Sequence, residues 1–274
     1  MKRTWTAIVL VVMTGAGVAH AADESFKPFV GQEGKDVVWV PTPASLVDKM
    51  LDLAKVTPQD FVIDLGSGDG RNVIAAAKRG ARALGVEYNP KMVELSQRAA
   101  AAEGVADKAT FVQGDMYEAD ISQASVLALF LLPDNLRKLT PKFLELKAGT
   151  RIVANHFGIE GWDADETARA ESDCMTWCTA LLYIVPAKVS GTWRLGQAAL
   201  NLEQKFQTVS GTLSHDGTSV PIRNGRVRGD EIHFSAGDAD YTGRVSGDAI
   251  RGQVQGGTHG TWSATRARAE TAGR

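Results

Sequence analysis

Between Asp60 and Val185 the chain repeats one unit, a short β-rich run followed by a helical one. No other feature of the sequence restricts the fold as much. The β-rich runs are Phe61 to Leu65, Ala83 to Glu87, Ala109 to Gln113, Ser125 to Leu132, Thr150 to Phe157 and Thr179 to Val185. Asn72 to Arg79, Lys91 to Glu103 and Asn135 to Leu146 read as helices. Pro90 is placed to open the second of these and Gly149 to stop the third. The fourth run is apolar after Ser125, as a central parallel strand buried on both faces must be. This alternation predicts an α/β fold: a Rossmann-like parallel sheet with helices on both faces. Ligands of such sheets bind beyond the C-terminal ends of the strands.

Those ends carry the informative residues. The first strand runs into Asp64-Leu65-Gly66-Ser67-Gly68-Asp69-Gly70-Arg71. Glycines there let the backbone turn sharply and approach a ligand closely. Glu87 ends the second strand, 21 residues past Gly66, where an acid suits two ribose hydroxyls. Asp115, beside Met116, follows the third. A dinucleotide site also uses a glycine loop and an acid, but its spacing is Gly-x-Gly-x-x-Gly. Here the third glycine comes one place early and Arg71 stands in its position. Asp64 and Asp69 also flank the loop where a pyrophosphate would lie. At an effective dielectric of ~20, like charges ~4 Å apart cost about 4 kcal/mol. A cationic nucleoside therefore fits better than NAD.

Taken together these residues resemble the class I, seven-strand S-adenosylmethionine-dependent methyltransferases, over roughly residues 36–188. A closer similarity runs through Val40-Pro41-Thr42, Asp64 to Gly70, Val73 to Lys78, Gly85 to Pro90, Phe130 with Pro133, Arg151 to Ala154, and Phe157 with Trp162. It points to the mitochondrial protein-lysine methyltransferases that modify an ATP synthase subunit and the adenine nucleotide translocase. The resemblance implies that Asp64, Gly66, Ser67, Gly68, Asp69 and Gly70 hold the methionine end of S-adenosylmethionine. Glu87, with Tyr88 and Asn89, would hold the ribose, and Asp115 with Met116 would flank the adenine. Val40, Pro41 and Thr42 would form part of a lid. The fifth strand ends in Asn155-His156-Phe157, where those enzymes carry a Cys-Arg-Phe type sequence.

The implied reaction is methyl transfer to a protein lysine. A small-molecule N- or O-methyltransferase is the nearest alternative. An exported, non-catalytic ligand-binding protein with a degenerate methyltransferase domain is the other. A lysine must lose its proton before attack, a cost of roughly 4.6 kcal/mol from a pKa of about 10.4 to pH 7. Desolvation lowers that cost. Phe130, Leu131, Leu132 and Pro133 could build an apolar mouth, with Tyr88, Asn155 and His156 as polar groups near it. Trp39 and Trp162 either line the site or shield it by packing.

After Lys188 the composition changes. Residues 189–274 hold 14 of the 28 glycines but one of the nine prolines. Short alternating runs, separated by Gly-Asp pairs at 229–230, 237–238 and 247–248, predict an antiparallel β meander or barrel. Ser190-Gly191-Thr192-Trp193 recurs as His259-Gly260-Thr261-Trp262, so the first and last strands are expected to lie close. The domain either packs as an accessory unit or, like a lipocalin, encloses an apolar ligand.

Lys2 and Arg3 precede an apolar stretch from Ala7 to Ala19, broken by Gly15 and Gly17, and Ala19-His20-Ala21 is a small-x-small cleavage site. This is the build of a secretory signal peptide, so residues 1–21 are expected to direct export, to the periplasm, and to leave no stable membrane span. The expected organisation is then a methyltransferase domain over 22–188, a β domain over 189–268 and a tail over 269–274. A net charge of −2 gives no basic excess for a nucleic-acid partner. Two cysteines and five scattered histidines do not suggest a metal site. Cys174 and Cys178 could bond in a loop, whereas a helix would suit that pair poorly.

Overall fold

The computed structural model describes residues 26–257 and 259–267. The expected signal segment, the cleavage site and the tail over 269–274 lie outside the described residues.

One half of the molecule is a seven-stranded sheet of order β3-β2-β1-β4-β5-β7-β6. Its strands are β1 (Phe61–Leu65), β2 (Arg82–Glu87), β3 (Ala109–Gln113), β4 (Val126–Leu129), β5 (Arg151–Asn155), β6 (Glu166–Arg169) and β7 (Thr179–Ile184). The pairs β1–β2, β1–β4, β2–β3 and β4–β5 are parallel. Strand β7 runs antiparallel to both β5 and β6, so the sheet is mixed rather than uniformly parallel. Four helices cover it: α1 (Ala44–Leu53), α2 (Arg71–Lys78), α3 (Pro90–Ala102) and α4 (Pro133–Phe143).

Alternate residues of the central strands feed two cores. Val62, Val126 and Ala128 pack with Leu46, Met50 and Val73 of α1 and α2. Ile63, Leu127 and Leu129 pack with Leu136 and Phe143 of α4. That double burial is why β4 reads as a continuous apolar run and β1 as one broken at Asp64.

Two boundaries shift from expectation. Strand β4 ends at Leu129, because the Leu132 N–H turns to Asn135 Oδ1 (3.2 Å) and Pro133 opens α4. Strand β5 ends at Asn155, because His156 adopts a left-handed φ of +63°. The polar strand β6 (Glu-Thr-Ala-Arg) and the amphipathic α1 complete the fold without having been anticipated.

The other half is a closed eight-stranded barrel: β8 (Gly191–Leu195), β9 (Ala198–Lys205), β10 (Thr208–His215), β11 (Thr218–Arg228), β12 (Glu231–Ala236), β13 (Ala239–Ser246), β14 (Ala249–Gly256) and β15 (Gly260–Arg266). It closes where β15 pairs with β8, through Thr265↔Arg194 and Arg266↔Trp193. The two Gly-Thr-Trp segments therefore do lie on neighbouring strands. In the three Gly-Asp turns, Gly229, Gly237 and Gly247 have φ near +60°, which a type II′ hairpin requires of its first central residue. The interior is filled by side chains, with Trp193, Leu200, Phe234 and Ile250 fully buried. Phe234 stacks on Tyr241 at 4.8 Å, and Trp262 meets both rings edge-on. An eight-stranded barrel either fills with side chains or holds one small ligand, and these buried side chains make this one a packed interior.

The β9–β10 turn docks the barrel on the sheet domain. Phe206 stacks on Trp162 at 5.2 Å, and Gln207 Nε2 donates to the Asp163 carbonyl at 2.8 Å. Arg226 pairs with the buried Asp165 at 2.8 Å, and Arg228 pairs with Glu166. Trp162 is thus buried in this seam and does not line the site.

Candidate functional site

The C-terminal ends of β1, β2 and β4 open into one cavity, roofed by residues 32–42. Gln32 and Trp39 bridge to each other, which folds that segment back on itself. Under the roof the glycine loop leaves β1. Gly66 and Ser67 both donate their N–H to the Val86 carbonyl, at 2.8 and 3.1 Å. Gly68 has a φ of +54°, and a Cβ there would stand 2.7 Å from Trp39 Nε1. Trp39 of the roof therefore lies on bare loop backbone. Gly70 has a different task. A Cβ on it would strike the Phe111 ring and Ser96, and it lines no part of the cavity. It lets α2 start tightly packed.

Glu87 braces the loop. One carboxylate oxygen accepts from Gly68 N and the other from Asn89 N, each at 2.9 Å. Asn89 in turn caps α3 by accepting from Lys91 N at 3.0 Å. Each Glu87 oxygen keeps a lone pair for a hydroxyl.

Asp64 is the unusual group. It is buried, accepts 3.1 Å from Asn72 Nδ2 through Oδ2, and has no partner on Oδ1 among the described residues. Burial pushes its pKa well up, and the Glu87 and Asp69 carboxylates push the same way. Ser67 Oγ, Asn72 Oδ1 and Asn155 Oδ1 are likewise buried without a partner among the described residues. A bound cation would relieve Asp64, so Asp64, Ser67 and Asn72, which line the cavity, suit the sulfonium and ammonium of S-adenosylmethionine. Asp69 differs. Arg71 pairs with it at 2.5 Å and also donates to the Thr42 carbonyl at 2.6 Å, tying loop to roof. Of the two carboxylates expected to repel a phosphate, only Asp64 lacks a cationic partner.

At the other end Asp115 accepts from Tyr117 N at 2.9 Å through Oδ1, and Lys35 of the roof pairs with Oδ2. The Lys35 contact and the Tyr117 N–H hold the Asp115 carboxyl below its usual range. Lys35 also lies 5.3 Å from the Tyr88 ring centroid. Met116 is buried beneath.

Beyond the glycine loop the cavity wall is apolar: Phe130, Leu131, Leu132 and Phe157, with Trp177. Phe130 stacks on Phe157 at 6.4 Å and meets Trp177 at 6.0 Å. Asn155 sits behind this wall and donates to Thr42 Oγ1 at 3.3 Å. Pro133 and His156 do not line the cavity: Pro133 starts α4, and His156 is an exposed residue packed edge-on against Phe157. Trp177 was not foreseen. It lies in the loop between β6 and β7, beside a Cys174–Cys178 disulfide with a Cα separation of 5.7 Å. A loop residue that meets Phe130 from 47 positions away leaves no local pattern. Among the described residues no cluster of three His, Cys, Asp or Glu could hold a metal.

Residues 64–166 match the model of the ANTKMT methyltransferase domain. The chain is similar to a protein-lysine N-methyltransferase of Saccharolobus islandicus, 41% identical over 152 residues, covering 54% of this chain and 94% of that protein. It is 33% identical over 166 residues to a Rattus norvegicus lysine N-methyltransferase named for an ATP synthase subunit, covering 60% of this chain and 76% of that one. Among solved structures, an RNA methyltransferase from Salinibacter ruber in complex with S-adenosyl-L-homocysteine is 42% identical, with a TM-score of 0.51, over 55% of this chain and 96% of that chain.

Proposed function

The chain belongs to the family of S-adenosylmethionine-dependent methyltransferases that share the ANTKMT domain, and from that premise we propose that its methyl acceptor is the side-chain amine of a protein lysine. The observation that carries this reading is the two-ended cavity. It has a buried, unpaired carboxylate at one end and an aromatic mouth at the other. Bound S-adenosylmethionine supplies a methyl group on a sulfonium and leaves as a neutral thioether.

The chain's residues supply binding, alignment and desolvation. Asp64 offers its free Oδ1 to positive charge, Glu87 its two braced oxygens to the ribose, and Asp115 with Met116 the adenine end. Phe130, Leu132 and Phe157 strip water from an incoming lysine. That favours its neutral, nucleophilic form and offsets part of the roughly 4.6 kcal/mol of deprotonation. Asn155 acts through Thr42 as a positioning residue.

The cavity lining carries six acids (Glu33, Asp36, Asp64, Asp69, Glu87, Asp115) against Lys35 and Arg71. That balance disfavours an RNA acceptor, although one structural relative is named for RNA. The test is a cell extract incubated with the protein and tritiated S-adenosylmethionine. Label that survives ribonuclease and returns as methyl-lysine after hydrolysis is expected; label in RNA or in small molecules rejects the lysine reading. Export of the chain through residues 1–21 is also proposed. The Lys2-Arg3 and Ala19-His20-Ala21 pattern supports it, as does a disulfide suited to an oxidising compartment. A reporter fused after residue 30 should be active only outside the cytoplasm.

A further inference from the structure

Trp177 combines three features. Its indole enters the cavity wall and meets Phe130 at 6.0 Å, yet it remains 39% exposed, so it stands at the rim. Its backbone has a φ of +56°, a left-handed conformation that a bulky residue rarely adopts and that persists only where its surroundings impose it. Those surroundings are specific. Cys178, the next residue, is buried and bonded to Cys174, which closes the loop on itself. The start of α1 holds the same loop: Ser45 Oγ donates to the Ser172 carbonyl at 2.7 Å, and Ser45 N donates to Asp173 Oδ2 at 3.4 Å. Ser45 lies three residues after Thr42 of the roof. The rim is therefore built from the β6–β7 loop and the roof together.

We propose that Trp177 is a specificity-determining residue: it forms the outer wall of the methyl-acceptor channel, and the Cys174–Cys178 bond holds it there. This rests on the cavity being the methyl-transfer site and on the acceptor being an extended amine. Trp177 belongs to the acceptor side because the cofactor-facing carboxylates lie at the strand ends, while the Trp177 ring meets Phe130 of the apolar mouth. An extended amine entering past Phe130 slides along the indole face and loses its water there. The bond also makes the wall redox-dependent. A dithiol reductant gives two electrons and two protons to the disulfide, yielding the Cys174 and Cys178 thiols and the cyclic oxidised reductant. The left-handed backbone at Trp177 then loses its covalent brace.

Two probes separate the channel from the cofactor pocket. One is S-adenosylhomocysteine. The other is a bisubstrate analogue in which the transferable methyl is replaced by a four-carbon aminoalkyl arm. Calorimetry on the oxidised wild-type protein should show the armed analogue binding more tightly. Trp177→Ala, and separately reduction with dithiothreitol, should shrink that advantage by roughly tenfold while S-adenosylhomocysteine binds unchanged. Trp177→Phe should restore most of it. An arm advantage that is absent in the wild type, or that survives both Trp177→Ala and reduction, overturns the proposal. So does an equal loss for both probes, which would make Trp177 a support of the whole pocket. Failure of the wild type to bind S-adenosylhomocysteine at all would instead reject the cavity as the transfer site.

Discussion

In the sheet domain, five buried polar atoms lack a partner among the described residues: Asp64 Oδ1, Ser67 Oγ, Asn72 Oδ1 and Asn155 Oδ1 gather at the ends of β1 and β5 and the start of α2, and Trp162 Nε1 lies in the seam against the barrel. The barrel, among its described residues, has no such atom. Its buried indoles are satisfied: Trp193 Nε1 donates to the Val189 carbonyl at 2.8 Å and Trp262 Nε1 to the Thr242 carbonyl at 2.9 Å. Each unsatisfied buried group costs about 1–3 kcal/mol. The sheet domain bears most of that cost at or beside the cavity, with Trp162 Nε1 the exception, and the barrel bears none among its described residues. One region is tuned for binding and the other for packing.

The strongest test of this contrast is Trp193→Ala. Emptying the barrel centre should cost about 3–5 kcal/mol of stability, read by thermal unfolding. S-adenosylmethionine affinity of the folded protein should stay within about twofold. A joint loss would mean that the barrel shapes the site.

Asp64→Asn should act in the opposite way. Cofactor affinity should fall by about 30- to 100-fold in calorimetry, the worth of a charged contact. The unliganded protein should gain stability at pH 8. The sign follows from burial raising the folded pKa of Asp64. The folded state then holds its proton more firmly than the unfolded chain, so stability is greatest below the unfolded carboxyl value of about 3.9 and falls as pH rises toward the folded one. Asparagine carries no charge and escapes that loss.

Asp60 supplies the reverse case in the same sheet. Burial would raise its pKa, but hydrogen bonds from Ser125 Oγ (2.7 Å) and Thr57 N (2.8 Å), together with Arg151, outweigh burial and depress it. Its contribution is present above the unfolded value of about 3.9 and is lost as pH falls through the folded one. Ser125→Ala should cost about 1 kcal/mol at pH 7, and part of that cost should disappear as pH falls through the depressed Asp60 value, the rest remaining because Ser125 Oγ also accepts from Phe61 N at 2.9 Å, measured by urea unfolding. The smallest effect is expected from Lys35→Met. Releasing Asp115 from an exposed partner should tighten S-adenosylmethionine binding by about two- to fivefold. Weaker binding would show that Lys35 serves the cofactor rather than competing with it.

The site was legible where its chemistry is local. Asp64, Gly66, Gly68, Glu87 and Asp115 each end or follow a strand, and their residue types and spacing announce a nucleoside site. Gly70 shows the limit of that reading: it belongs to the same motif but serves helix packing. Lys35 and Trp177 were not legible. Each acts through a contact made across the fold, Lys35 to Asp115 and Trp177 to Phe130, which no local pattern records. In the fold, β6 was missed because its exposed Glu-Thr-Ala-Arg shows no apolar alternation. The barrel strands were found because polar and apolar residues alternate along them and glycines mark their turns.

The pairing of β15 with β8 also sets an order of assembly. All seven sheet strands exist once Ile184 has been synthesised. Strand β8 ends at Leu195, but its second neighbour begins only at Gly260, 65 residues later. Throughout that interval one edge of the growing barrel offers unpaired backbone groups to any other strand nearby. During synthesis the stage with the most exposed edge therefore belongs to the barrel.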